Sequence, residues 1–121
     1  MRIVAVGDIM PDGILNKSNK KFISQEVEHI LSLGDIRIGT LETAIGNIPS
    51  FCVEKMERLG DVIYVKDDDV KRLIELNINI VSLANNHFFD LGAEGAEHAI
   101  KLFDKLEIKH FGGGRNIEEA S

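Results

Sequence analysis

The sequence holds 121 residues, with 20 acidic against 14 basic side chains and a formal net charge of −6. That balance disfavours non-specific contact with nucleic acid or an anionic membrane surface. Cys52 is the only cysteine, so an intrachain disulfide and a Cys/His zinc cluster are both excluded. No apolar run approaches the roughly eighteen residues of a membrane span.

The chain opens at once on Ile3 to Val6, an apolar β-branched run ending in Gly7-Asp8. This predicts a strand buried on both faces. Asp8 to Lys20, with Pro11 and Gly13, reads as a loop. Ile23, Val27, Ile30 and Leu31 then fall on one helical stripe, with Gly34 as its stop. Asp35 to Glu42 is strand-like, and Thr43 to Gly60 is irregular. Val62 to Val65 reads as a short extended segment. Asp67-Asp68-Asp69 opens a helix, because carboxylates favour the free N–H groups and positive dipole end of a first turn.

Ile78 to Ala84 predicts a second buried strand, followed directly by Asn85-Asn86-His87. A helix is expected over 93–106, with Ala96, Ala99, Ile100, Phe103 and Leu106 on one face. Ile108 to Phe111 is a strand, Gly112 to Gly114 a turn, and Asn116 with Glu119 resembles a capping box for a further helix. Strands alternating with helices predict an α/β fold with right-handed crossovers and a mostly parallel sheet flanked by helices. A chain that ends just after a helix is capped is expected to be part of a larger domain. A sheet truncated in this way would leave an exposed edge through which the chain can self-associate.

Ligands in an open parallel sheet bind beyond the carboxyl ends of the strands. Asp8, Glu42 and the Asn85-Asn86-His87 cluster with Asp90 all fall at such ends. Two carboxylates, an amide oxygen and an imidazole form a mixed oxygen and nitrogen set, suited to Mn, Mg, Fe or Zn rather than to a soft metal. Each residue also has an ordinary structural reading. Asp8 can cap a turn, Glu42 can be a solvated strand-end carboxylate, the Asn pair can be turn residues and His87 can be structural. Gly112 to Gly114 can cradle a phosphate or simply turn the chain. His29, His98 and His110 have no partner pattern and read as surface residues.

Four segments in order resemble the CapA family of poly-γ-glutamate capsule synthesis proteins, which have a calcineurin-like metallophosphatase fold. They are Val6-Gly7-Asp8-Ile9-Met10, Thr40-Leu41-Glu42, Ser82 to His87 with Asp90 and Gly92, and Phe111 to Gly114 with Glu119-Ala120. The resemblance implies the N-terminal portion of that layered fold. It implies metal coordination by Asp8, Glu42 and Asn86, with His87 contacting or protonating a leaving group and Asp90 orienting His87. The implied substrate is a phosphate-bearing small molecule or polyanion. Met10 stands where metallophosphatases carry a histidine, and the family's later histidine motifs do not occur here. A weak or partial metal site follows, with poor or no hydrolysis by this chain alone. The alternative is a non-catalytic binding or assembly module of the same fold. Family members tied to capsule export resemble anchored proteins, and this sequence shows no anchor, so a cytoplasmic location is expected.

Overall fold

A computed structural model describes residues 1–11, 23–47 and 62–121. The expectations for the loop after Asp8 and for most of the irregular stretch before Gly60 lie outside the described residues. Along the chain run β1 (Ile3–Ile9), α1 (Gln25–Ser32), β2 (Ile36–Leu41), β3 (Ala44–Ile45), β4 (Tyr64–Val65), α2 (Asp67–Glu75), β5 (Ile80–Ser82), α3 (Gly92–Lys105) and β6 (Lys109–Phe111). The main sheet has four strands in the order β1-β2-β5-β6, and every adjacent pair is parallel. β3 and β4 pair separately, also in parallel. The α/β class and parallel sheet expected from the alternation are therefore present.

One apolar cluster joins the elements. Leu31 of α1, Leu41 of β2, Val70 and Leu73 of α2, Val81 of β5 and Phe103 of α3 are all buried in it. Both α2 and α3 end in the same way. Asn77 and Glu107 take left-handed backbone angles, φ 59° and 56°. Ile78 N–H then donates to Leu73 O at 2.9 Å, and Ile108 N–H to Phe103 O at 3.1 Å. These are Schellman closures, in which the residue after the left-handed one is apolar and packs back on the last turn. Ile78 and Ile108 are buried accordingly, and each leads straight into a strand.

β1 departs from expectation. It is an edge strand, and its residues alternate between exposed and half-buried, with Ile3 56% exposed. A short apolar run cannot distinguish a central strand from an edge strand, because composition records hydrophobicity and not the number of neighbours. α1 departs likewise: Leu31 is buried, while Val27 and Ile30 stay exposed. Gly34 does follow α1, and its reason is space. A Cβ there would lie 2.9 Å from Val4 Cγ2 and 3.0 Å from Ile36 O. The last expected helix is absent among the described residues. Asn116 Oδ1 does cap Glu119 N–H at 3.0 Å, but the segment makes only a turn. No helix among the described residues is long and apolar enough to cross a membrane.

Candidate functional site

Because the main sheet is wholly parallel, the carboxyl ends of its strands lie along one edge. Side-chain and backbone bonds lace that edge together. Glu42 N–H donates to Ile9 O at 3.0 Å, joining the ends of β1 and β2. Asn85 Nδ2 donates to Leu41 O at 2.6 Å, joining β2 to the turn after β5. Leu83 N–H donates to Phe111 O at 2.8 Å, joining β5 to β6. Asp8, Glu42 and Asn86-His87 thus follow or end three strands on the same side of the sheet.

β1 bears a bulge at this end. Val6 pairs with Gly39 and Ile9 with Leu41, so β1 carries one more residue than β2 between those pairs. Asp8 lies in that bulge and is exposed. Bulges turn a side chain away from the direction the plain pleat would give it. Glu42 follows β2 and is half-buried. The carboxylates of Asp8 and Glu42 meet no hydrogen-bonding or ionic partner among the described residues.

The turn after β5 is the most ordered part of the site. Asn85 Oδ1 accepts from His87 N–H at 2.8 Å, an Asx turn that curls the chain as soon as the strand ends. Phe88, only 2% exposed, pins the turn to the core. His87 Nδ1 lies 2.8 Å from Asp90 Oδ2, and His87 Nε2 lies 3.0 Å from Asn86 Nδ2. An amide N–H can only donate, so Nε2 is the acceptor and Nδ1–H donates to the carboxylate. The side chains of His87 and Asp90 are 20% and 11% exposed, so both are largely shielded and the ring keeps the greater share of solvent contact. Asp90 Oδ2 also accepts from Ile63 N–H at 2.9 Å, so the approach to β4 helps hold the dyad.

The structure thus joins Asn86, His87 and Asp90 by direct contacts, and sets Asp8 and Glu42 on neighbouring strand ends. Sequence reasoning placed Asn85 in the strand-end cluster but gave it no role of its own. Its signal was present: an Asn directly after a buried strand and two residues before a histidine is placed to close an Asx turn. The Gly112 to Gly114 stretch serves packing. Gly112 has φ 79°, and a Cβ there would lie 2.7 Å from Ala84 Cβ. Two histidines depart from the reading as partnerless surface residues: His98 is at the surface but has a partner, and His110 faces inward. His98 Nε2 lies 2.7 Å from Asp67 Oδ1. His110 packs against Phe103 with ring centroids 5.9 Å apart, and its side chain is 15% exposed because β6 turns it inward opposite Val81. A cavity of about 450 Å³ lies elsewhere, lined by Ile45, Lys66, Asp67, Glu94 and His98 among others, and none of the five strand-end candidates borders it.

Comparison with known proteins agrees with this arrangement of motifs. The family model described as bacterial capsule synthesis protein PGA_cap matches residues 2–121. The chain belongs to that family. Protein y4sH of Sinorhizobium fredii is 32% identical over 120 residues, covering 98% of this chain and 26% of the relative. The capsule biosynthesis protein CapA of Bacillus anthracis is 26% identical over 123 residues, covering 98% of this chain and 30% of its own length. The PGA biosynthesis protein CapA of Bacillus subtilis is 26% identical over 122 residues, covering 95% and 30%. The chain therefore spans between a quarter and a third of the curated relatives it matches, and the resemblance to CapA proteins read from its four motifs is established.

The donor chemistry of the strand ends fits a hard divalent cation in part. Asp8 and Glu42 offer carboxylate oxygens, and Asn86 offers Oδ1 because its Nδ2 faces His87. No group of three or more His, Cys, Asp or Glu side chains able to hold a metal ion occurs among the described residues.

Proposed function

We propose that this PGA_cap-family chain carries part of a metal-dependent phosphoesterase site, acting on a phosphate-bearing or polyanionic substrate in poly-γ-glutamate or capsule synthesis. The His87–Asp90 pair carries the reading. A histidine whose Nδ1–H is held by a shielded carboxylate is left with Nε2 as the atom that can take up and deliver one proton. That atom faces the amide of Asn86, so the proton-handling atom and a candidate ligand are adjacent.

Asp8, Glu42 and Asn86 Oδ1 would hold Mn²⁺, Mg²⁺, Fe or Zn²⁺. Such an ion, when bound, supplies Lewis-acid polarisation of a phosphoryl oxygen and a nucleophilic water at neutral pH. The chain's own residues do the rest. Asp90 fixes the ring of His87 by accepting from Nδ1–H. Nε2 would take up a proton from water and give it to the departing oxygen, returning to the neutral Nδ1–H ring. Exposed Asp8 and half-buried Glu42 would hold the cation that meets the phosphate.

A second reading is favoured by Met10, which is 49% exposed at the end of β1 and offers only a thioether where this enzyme class carries a histidine. On that reading the chain is a binding or assembly module of the same fold. Mn²⁺ calorimetry combined with a chromogenic phosphoester assay separates the two. Weak, saturable Mn²⁺ binding that falls in Asp8→Asn and Glu42→Gln supports a metal site. Absence of any Mn²⁺ binding overturns it. Vigorous metal-dependent turnover by this chain alone would contradict the partial site and require ligands beyond the five residues named.

A further inference from the structure

We propose that Asn85 is a positioning residue whose side chain sets the spacing between Glu42 and His87. The role rests on the metal-site reading above, but its geometry stands apart from it. One amide reaches two elements. Nδ2 donates to Leu41 O at 2.6 Å and to Leu83 O at 3.3 Å, and Oδ1 accepts from His87 N–H at 2.8 Å. Leu41 O belongs to the peptide whose nitrogen is that of Glu42, so the bond holds the peptide plane leading into the Glu42 side chain. His87 N–H belongs to the residue whose ring meets Asp90. A carboxamide is planar and rigid, so its two ends fix these peptides relative to each other more tightly than the strand ladder alone can. The β2–β5 ladder runs only over Ile38↔Ile80, Gly39↔Val81 and Thr40↔Ser82, and stops short of both site residues. Asn85 continues the pairing beyond the last rung with a side chain in place of backbone.

The opposite edge of the sheet supplies a matched control. There Asn79 Oδ1 accepts from Arg37 N–H at 2.8 Å, another side-chain bridge between the β2 and β5 segments, but at the end away from the site. A merely structural amide at Asn85 would behave like Asn79. A positioning amide would alter the site as well as stability.

The experiment compares wild type with Asn85→Ala, Asn85→Ser and Asn79→Ala, using Mn²⁺ calorimetry, thermal melts by circular dichroism, and NMR of the His87 ring nitrogens and of the Glu42 amide. Partners that orient metal ligands typically matter by 10–100-fold in affinity, so Asn85→Ala is expected to weaken Mn²⁺ binding by about tenfold or more. Its His87 ring should lose the Nδ1–H tautomer preference. Serine keeps a short acceptor for His87 N–H but cannot span to Leu41 O. Asn85→Ser should therefore retain the tautomer, lose Mn²⁺ affinity and speed exchange of the Glu42 amide. Asn79→Ala should lower the melting temperature and leave the His87 ring, the Glu42 amide and Mn²⁺ affinity unchanged. If Asn85→Ala fails to fold, the serine variant decides. If wild type binds no Mn²⁺, the metal reading falls, and the NMR readouts still judge the bridge. The proposal is overturned if Asn85→Ser leaves Glu42 amide exchange as in wild type, or if Asn79→Ala perturbs the site equally.

Discussion

The two edges of the main sheet use polar residues in opposite ways. At the amino-terminal edge polar groups answer one another. Arg2 N–H donates to Asp35 Oδ2 at 2.7 Å, and Asp35 N–H returns a bond to Arg2 O at 2.9 Å. Arg37 Nη1 donates to Gly34 O at 2.6 Å, Arg37 Nη2 to Asn77 Oδ1 at 3.1 Å, and Arg37 Nε to Asn77 O. One guanidinium thus ties down the end of α1 and the left-handed exit from α2. At the carboxyl-terminal edge Asp8 and Glu42 meet no such partner among the described residues, and only the Asn85–Asp90 turn is internally satisfied. Polar groups that satisfy each other stabilise the fold, whereas carboxylates left facing solvent are available to a ligand. The direction of a parallel sheet thereby separates a holding edge from a binding edge.

The core between the edges sets the scale for testing that contrast. Phe103→Ala removes a ring with no exposure and should lower unfolding free energy by about 3–5 kcal/mol, measured by urea titration. Next comes the holding edge. Arg37→Ala strips the carbonyls of Gly34 and Asn77 of a charged donor and should cost about 1–3 kcal/mol, with Mn²⁺ affinity untouched. A change in Mn²⁺ affinity there would mean that the edges are coupled. At the binding edge the pattern should reverse. Asp8→Asn is expected to weaken Mn²⁺ binding several-fold while the melting temperature stays level or rises, because it removes a charge that meets no partner among the described residues. Loss of stability with unchanged Mn²⁺ affinity would instead make Asp8 a structural cap.

Smaller effects test the surfaces flanking this contrast. Val27→Ser and Ile30→Ser, at positions 44% and 54% exposed on α1, should each shift stability by less than about 0.5 kcal/mol, unlike Leu31→Ala in the same helix. The smallest effect concerns pH. A hydrogen bond from Arg115 holds the Glu119 carboxyl below its ordinary value. A carboxyl depressed in the folded state lends stability that is present at neutral pH and lost as pH falls through its folded value. Glu119→Gln should therefore flatten only a slight part of the acid limb of a melting-temperature profile, since the pair is exposed to solvent screening.

Much of the fold was legible because local chemistry specifies local structure. The acidic run at Asp67 starts a helix, and the apolar faces of 67–75 and 92–105 bury Val70, Leu73, Ala96, Ala99 and Phe103, while Ile74 stays exposed and Ile100 and Leu106 are half-buried. Strands followed by helices specify a parallel sheet, and four short motifs in order specify the family. Chain order by itself placed Asp8, Glu42, Asn86, His87 and Asp90 at or beyond the ends of apolar runs, which is why they read as one group. Tertiary structure decided what depends on neighbours far along the chain. β1 lies at an edge because, among the described residues, β2 alone pairs with it, and no residue within Ile3–Ile9 records that count. The bulge at Asp8 exists only relative to the register of β2, and the inward turn of His110 only relative to Val81. Asn85 gained its second role because Leu41, remote in sequence, ends its strand within reach of one amide. Propensity and capping act over a few residues, whereas strand order, register and such bridges are fixed only when the packed core selects one arrangement.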